Sequence, residues 1–116
     1  MKSTEVVPAL AALAQENRLD VFRLLVQAGP EGMAAGHIAD KLGIVAATLS
    51  FHLAQLKHTG LVTVRRDGRS LIYAADYARM NGLIDFLTEN CCGGNATKQA
   101  AACAPELGRR RGAGRR

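Results

Sequence analysis

The order of predicted elements over residues 36–73 constrains the fold of this chain more than any other feature. Apolar residues at helical spacing predict a short helix over residues 36–42 and a longer helix over residues 46–59. Ile44 and Val45 form the predicted turn between them. Two helices joined by so short a turn are typical of a helix-turn-helix, in which the second helix can enter the major groove of DNA.

A basic hairpin is predicted directly after the second helix. Residues 61–66 and 69–74 alternate between apolar and polar side chains in the manner of strands. Asp67-Gly68 between them predicts a type I′ turn, which needs positive φ at both central residues. A helix-turn-helix followed by a hairpin predicts a winged helix-turn-helix fold.

Three further helices are predicted around this pattern. The first begins near Val7, because Pro8 is tolerated only in the first turn of a helix. The second covers residues 18–28 with Asn17 as its N-cap, and the last covers residues 77–90. The complete order is α-α-α-α-β-β-α, so the predicted fold class is mostly α with a small β-hairpin.

Length and composition predict one folded domain and a tail. A chain of 116 residues has room for one core. Apolar residues make up 48% and aromatic residues only 4%, so that core must be aliphatic. We expect residues 1–92 to form a domain that binds DNA and dimerises. We expect residues 93–116 to form a flexible tail that contains one cysteine and an arginine run.

The basic charge of the chain is concentrated in two places. Of 15 lysines and arginines, six lie in residues 98–116, against one acidic residue. Residues 57–79 hold five basic residues against Asp67 and Asp76, whereas residues 1–97 as a whole are balanced. This local excess indicates a phosphate partner better than the net charge of +5 does.

No segment of the sequence predicts a membrane protein. No apolar run approaches the ~18 residues of a membrane-spanning helix. Glu5 and Pro8 interrupt any signal-peptide pattern at the start of the chain. We therefore expect a cytoplasmic protein, and in that reducing compartment cysteines are ligands or sensors more often than disulfides.

The second helix of the helix-turn-helix carries short hydrogen-bonding side chains that suit base edges. Serine and threonine can donate or accept, and glutamine suits adenine. The predicted base contacts are Thr48, Ser50, His52 and Gln55. The predicted phosphate contacts are Lys57, Arg65, Arg66 and Arg69. The alternative is an ordinary solvated helix beside an ordinary basic hairpin, but the consecutive order favours double-stranded DNA as the partner.

Phe51 in the same helix has two interpretations. On an exposed face it could touch a thymine methyl group, whereas it could instead pack against the base of the hairpin. We favour the packing.

A cluster of cysteines follows the last helix. Cys91 and Cys92 are adjacent, and Gly93-Gly94 would let the chain fold back so that Cys103 supplies a third thiolate. Trivalent arsenic and antimony are soft and bind thiolates. A trivalent centre with a lone pair takes three sulfurs on one side, so these cysteines are the predicted metalloid ligands.

Other roles for the cysteines stay open. Cys91 could be a small buried hydrophobe, or the thiols could respond to oxidation with Cys103 as the resolving thiol. A structural zinc site is less favoured, because it needs four N or S ligands and no histidine follows His58. A thiol enzyme is disfavoured, since neither an anion-binding loop nor a nearby histidine or aspartate base surrounds the cysteines. We therefore expect no enzymatic activity.

Short motifs from Leu13 to Tyr73 match a known pattern. They are Leu13-Ala14, Asn17-Arg18, Val21–Leu25, Ile38-Ala39, Leu42-Gly43, Leu49–Leu53, Leu56, Thr59–Val62, Arg65–Arg69 and Tyr73. In these motifs the chain resembles the ArsR/SmtB family of winged helix-turn-helix repressors. Val45-Ala46 departs from the family, which usually has a polar pair such as Ser-Gln at the start of this helix.

The resemblance implies a homodimer that binds an inverted-repeat operator and represses transcription. It extends to a subgroup whose last helix ends in Thr-Glu-Asn-Cys-Cys, here Thr88–Cys92, and which responds to arsenite. The family's Cys-x-Cys site at the third helix is absent, because Ala34-Ala35-Gly36 occupies that place. The implied function is release from the operator when arsenite or antimonite binds cysteine thiolates, with no organic cofactor. A thiol redox-responsive DNA-binding regulator is the alternative.

Overall fold

The computed structural model describes residues 1–94. It divides after Ile84 into two units, and the second unit, which starts at Asp85, is treated separately below. The predicted domain boundary between residues 92 and 93 stays a prediction. Cys103 and the arginine run of the predicted tail lie outside the described residues.

Helices dominate the described residues, with a small sheet beside them. In chain order the elements are α1 (Ser3–Leu13), α2 (Glu16–Ala28), β1 (Met33–Ala34), α3 (Ala35–Leu42), α4 (Ala46–His58), β2 (Val62–Asp67), β3 (Ser70–Ala75), α5 (Tyr77–Thr88) and a 3₁₀ turn (Cys91–Gly94). The predicted winged helix-turn-helix order is confirmed, with one additional short strand, β1. No helix in this part of the chain is long and apolar enough to cross a membrane.

The start of α1 differs from the prediction. The helix begins at Ser3 rather than near Val7, so Pro8 lies beyond its first turn. The Glu5 carboxylate accepts a hydrogen bond from the Lys2 backbone N–H at 2.9 Å and stabilises the early start. Pro8 is exposed, so water can satisfy the carbonyl that loses its helical partner.

The ends of two other helices also differ from the prediction. The N-cap of α2 is Gln15 and not Asn17, since the Gln15 side-chain oxygen accepts from the Arg18 backbone N–H at 3.0 Å. α5 ends at Thr88, and Asn90, which was expected inside it, has a left-handed φ of 58°.

The three strands form one antiparallel sheet in the order β1-β3-β2. The hairpin register runs from Val62 opposite Ala75 to Asp67 opposite Ser70, which leaves Gly68-Arg69 as the two-residue turn. Of these two, only Gly68 has positive φ, at 65°. That pattern matches a type II′ turn, so the predicted hairpin is confirmed but its predicted type I′ turn over Asp67-Gly68 is wrong.

β1 joins the segment before α3 to the hairpin. Met33 pairs with Tyr73, and Ala34 pairs with Ile72. Gly32, one residue earlier, has φ of 77°, and a Cβ atom there would collide with the Tyr73 carbonyl oxygen. The sheet therefore depends on a glycine at this position.

The core lies between α2, α3, α4 and the hairpin. Leu49, Leu53 and Leu56 point inward from α4, as their spacing predicted, and Leu25 and Ile38 are fully buried in the same cluster. Burying each such side chain contributes roughly 1.5–3 kcal/mol. Because these contacts fix the inner face of α4, its opposite face is held toward solvent.

Candidate DNA-binding surface and thiol pair

The outer face of α4 and the hairpin form one candidate surface, built on the packing of α3 against α4. Ile38 on α3 and Leu49 and Leu53 on α4 are buried in the shared core. Residues 43–45 join the two helices, and the turn carries the chain directly into α4. A helix held in this way can insert its exposed face into a major groove.

Three of the four predicted base contacts remain available on α4. Thr48 and Ser50 are exposed, and Gln55 is half-buried. Their roles stay predictions. The four predicted phosphate contacts, Lys57, Arg65, Arg66 and Arg69, are all exposed. α4 itself contains no acidic residue, so the surface is basic where DNA would approach.

His52 is the exception, because it is buried with only 5% of its surface exposed. It was expected on the outer face, and that placement is wrong. His52 lies three residues after Leu49 and four before Leu56, so helical spacing puts it on the inward face with them. A side chain in this position is not available to a base edge.

Arg18 of α2 is the partner that makes this burial possible. Its Nε–H donates a hydrogen bond to His52 Nδ1 at 3.2 Å, and one terminal nitrogen lies 3.5 Å from the Ala12 carbonyl oxygen. Because Nδ1 accepts, the neutral ring carries its proton on Nε2, which has no partner among the described residues. Desolvation, together with the nearby Arg18 charge, lowers the pKa of His52 below its usual 6.5.

Arg18 also contacts Phe51, the residue with two interpretations. The guanidinium carbon lies 5.6 Å from the centre of the Phe51 ring, within the range of a cation–π interaction. The ring remains 56% exposed. The favoured packing of Phe51 against the base of the hairpin stays a prediction, and more than half of the residue is open to solvent. No sequence pattern predicts the Arg18–His52 pair, because its members are 34 residues apart.

The thiol pair, Cys91 and Cys92, lies in the second unit. Cys91 is half-buried and Cys92 is exposed, and no disulfide joins them. Their Sγ atoms lie 3.7 Å apart. Two thiolates bound to one centre with bonds of ~2.3 Å would be separated by about 3.8 Å at a tetrahedral angle, and by roughly 3.3–3.5 Å at the smaller angles of a pyramidal trivalent centre. The two sulfurs are therefore already close to the separation needed to bind one soft ion.

The backbone of this turn is unusual. Cys92 has φ of 55° and ψ of 40°, in the left-handed region that non-glycine residues rarely occupy. Asn90 is left-handed as well. Within residues 1–94, no three histidine, cysteine or acidic side chains form a group that could hold a metal ion. The third predicted ligand, Cys103, lies outside this range.

A family model described as a helix-turn-helix domain matches residues 13–65. The chain is also similar to the transcriptional activator HlyU of Vibrio cholerae, with 28% identity over 93 residues, 80% of this chain and 83% of HlyU. The solved structure of reduced HlyU superposes with a TM-score of 0.62, covering 78% of this chain and 92% of that one.

Two further relatives extend the comparison. One is the solved structure of Mb0332 from Mycobacterium bovis, a homodimeric winged helix-turn-helix DNA-binding domain of a possible ArsR-family regulator. It is 30% identical in sequence, and the match covers 80% of this chain and 86% of that chain with a TM-score of 0.60. A putative arsenical resistance operon repressor of Halobacterium salinarum is 38% identical over 63 residues, which is 54% of this chain and 48% of that protein.

Proposed function

The chain belongs to the ArsR/SmtB-type winged helix-turn-helix family of DNA-binding transcription regulators, and from this premise we propose a homodimeric repressor that trivalent arsenic releases from its operator. One observation carries the proposal, the 3.7 Å separation of two thiols in a DNA-binding protein. The relatives are regulators and not enzymes.

On DNA, α4 acts as the recognition helix and the hairpin as the wing. Thr48 and Ser50 are the main candidates for base contacts, with Gln55 behind them, and the exposed basic residues contact phosphates. Neutralising phosphates releases counterions, so affinity should fall steeply with salt.

The dimer is supported by an apolar cleft as well as by the homodimeric relative Mb0332. The cleft has a volume of about 320 Å³ and is lined mainly by leucines, Phe22 and Met80 of α1, α2 and α5. Val7 and Leu10 on α1 are exposed in the single chain. A second copy would cover such surface and would set two recognition helices into half-sites about 34 Å apart.

Trivalent arsenic or antimony is the proposed inducer, with Cys91, Cys92 and Cys103 as ligands. The Thr88–Cys92 ending resembles arsenite-responsive relatives, and the name of the Halobacterium relative refers to arsenical resistance. Release requires that the ligand binds the DNA-incompetent state more tightly. A coupling of about 1–3 kcal/mol would change operator affinity roughly five- to 150-fold.

Arsenite titration into a full-length protein–operator complex, followed by fluorescence anisotropy, tests this proposal. We expect release near stoichiometric arsenite under a phosphine reductant, and no release from a variant with both Cys91→Ser and Cys92→Ser. Cys103→Ser is the matched control, which should respond more weakly than wild type but better than the double variant. A wild-type complex that stays intact with all thiols reduced would exclude the metalloid switch.

Thiol oxidation is the second candidate signal. A disulfide between adjacent residues closes a strained ring, so the expected product joins Cys91 or Cys92 to Cys103 as the resolving thiol. The relative HlyU has been solved in a reduced form. Oxidation of the two thiols by peroxide would remove two protons and two electrons and leave water. Loss of two hydrogens by mass spectrometry, together with DNA release by peroxide but not by arsenite, would favour this candidate.

A further inference from the structure

Two large apolar side chains lie exposed on the recognition helix and its cap. Val45, the N-cap of α4, is 72% exposed, and Phe51, within the helix, is 56% exposed. A partner that covered these two side chains would remove apolar surface from water, which is favourable.

Val45 also gives up a stabilising contact. Serine, threonine, aspartate or asparagine at an N-cap accepts a hydrogen bond from the first turn, but Val45 makes no such side-chain bond. Its backbone has the usual extended cap conformation, with φ of −62° and ψ of 139°. The helix therefore lacks a side-chain cap at Val45. This N-terminal end is the part of a recognition helix that contacts base edges.

Phe51 is held in place rather than loosely exposed. Arg18 lies over the ring, and Arg18 is itself anchored to His52 and to the Ala12 carbonyl. A ring fixed in this way loses little conformational freedom when it meets a partner.

The charge around these side chains identifies the partner as DNA and the contacted group as a thymine methyl. α4 has no acidic residue and carries exposed Lys57, and the hairpin that follows it carries exposed Arg65 and Arg66. The C5-methyl of thymine is the apolar group that the major groove presents. We propose that Val45 and Phe51 read thymine methyl groups, an inference that rests on the proposed binding of DNA.

Replacing thymine by uracil tests the inference, because uracil lacks the methyl and keeps the hydrogen-bonding edge. A binding sequence is first selected from random duplexes with the full-length protein, and single thymines in each half-site are then replaced. We expect at least one replacement per half-site to weaken binding about fourfold, the factor expected for one buried methyl-sized group. For Phe51→Ala or Val45→Ser, the ratio of affinities for the thymine and uracil duplexes should fall to about one at one of these positions.

Two controls separate this effect from general loss of affinity. Leu71→Ala removes an equally apolar side chain, 40% exposed, from the wing and should leave the ratios unchanged. Arg66→Ala should weaken binding to the thymine and uracil duplexes equally. It should also lower the slope of log affinity against log salt concentration by about one.

The outcomes separate failure of the methyl contacts from failure of the proposed DNA binding. Enrichment of a duplex with equal affinity for its thymine and uracil forms overturns the methyl contacts and leaves DNA binding established. Ratios that persist in both Phe51→Ala and Val45→Ser also overturn them. If no duplex is enriched, both the inference and the DNA-binding function fail.

Discussion

In the recognition unit, residues 32–75, the side chains that set the geometry are buried, whereas in the thiol turn, Cys91–Gly94, the reactive atoms lie near the surface. The buried side chains of Leu49, Leu53 and Leu56 anchor the recognition helix to the core. In the thiol turn, Cys92 has a left-handed backbone and its Sγ lies 3.7 Å from the Sγ of Cys91. Reading DNA needs a fixed shape, which packing supplies, whereas capturing a soft ion needs accessible sulfur atoms on a short stretch of chain.

The largest expected effect comes from breaking the shape of the recognition unit at Gly32. Gly32→Ala would place a Cβ against the Tyr73 carbonyl oxygen at a φ that alanine disfavours. We expect the free energy of unfolding to fall by roughly 2–4 kcal/mol, as strain and overpacking add. Urea unfolding followed by circular dichroism measures it.

Gly36→Ala is the matched control for Gly32→Ala. A Cβ at Gly36 meets nothing within 4 Å, and the residue lies within α3. Alanine should therefore leave stability unchanged or raise it by up to about 1 kcal/mol. Equal stabilities for the two variants would contradict the close approach of β1 to β3.

A smaller effect is expected from protonation of His52. Since its pKa is lowered in the folded protein, the unfolded chain binds the proton more readily. The stabilising contribution is therefore complete above pH 6.5 and is lost as pH falls from 6.5 through the folded pKa. Stability curves in urea between pH 7.5 and 5 should show this loss in wild type.

His52→Gln provides the comparison, because glutamine keeps an acceptor for Arg18 and does not titrate in this range. Its pH dependence between 7.5 and 5 should be flatter than that of wild type. Parallel curves for the two proteins would show that another group causes the acid sensitivity.

The smallest effect on stability is expected from Cys92→Ser in the thiol turn. Cys92 is exposed, so the free energy of unfolding should change by no more than about 0.5 kcal/mol. Operator release by arsenite should nevertheless be abolished or strongly weakened. If Cys92→Ser lowered the free energy of unfolding as much as Gly32→Ala does, the thiol turn would be as important for stability as the recognition unit, contrary to this comparison.

The sequence predicted the parts of the fold that depend on local spacing. Leu49, Leu53 and Leu56 recur at helical intervals, and the hairpin is bounded by a glycine turn, so both elements could be located. Exposure of Lys57 agrees with its place off the leucine stripe, whereas the adjacent Arg65 and Arg66 are both exposed although strand alternation places them on opposite faces.

The errors lie where distant contacts outweigh local rules. Val6 and Ala9 are buried, which holds α1 helical on both sides of Pro8. Burial of Val62 opposite Ala75 sets the hairpin register and moves the turn by one residue. In each case a contact between elements decided what a short window of sequence could not.

His52 illustrates the same limit in the candidate site. Its polar character suggested a base contact, although its spacing from Leu49 and Leu56 already matched the inward face. The deciding partner, Arg18, lies on another helix, and no periodicity connects the two residues. The metalloid chemistry of the thiols stays a prediction. The adjacency of Cys91 and Cys92 is visible in the sequence, whereas the 3.7 Å separation of their Sγ atoms depends on the local backbone.

The pairing of β1 with β3 has a mechanical consequence. Met33 and Ala34 pair with Tyr73 and Ile72 of the wing, so α3 and the wing cannot separate at this point without breaking β1 from the sheet. We expect an incoming signal to rotate or shift the helix-turn-helix and the wing together. In the proposed dimer on two half-sites, such a movement would change the angular offset between the two recognition helices around the duplex, counted in base pairs.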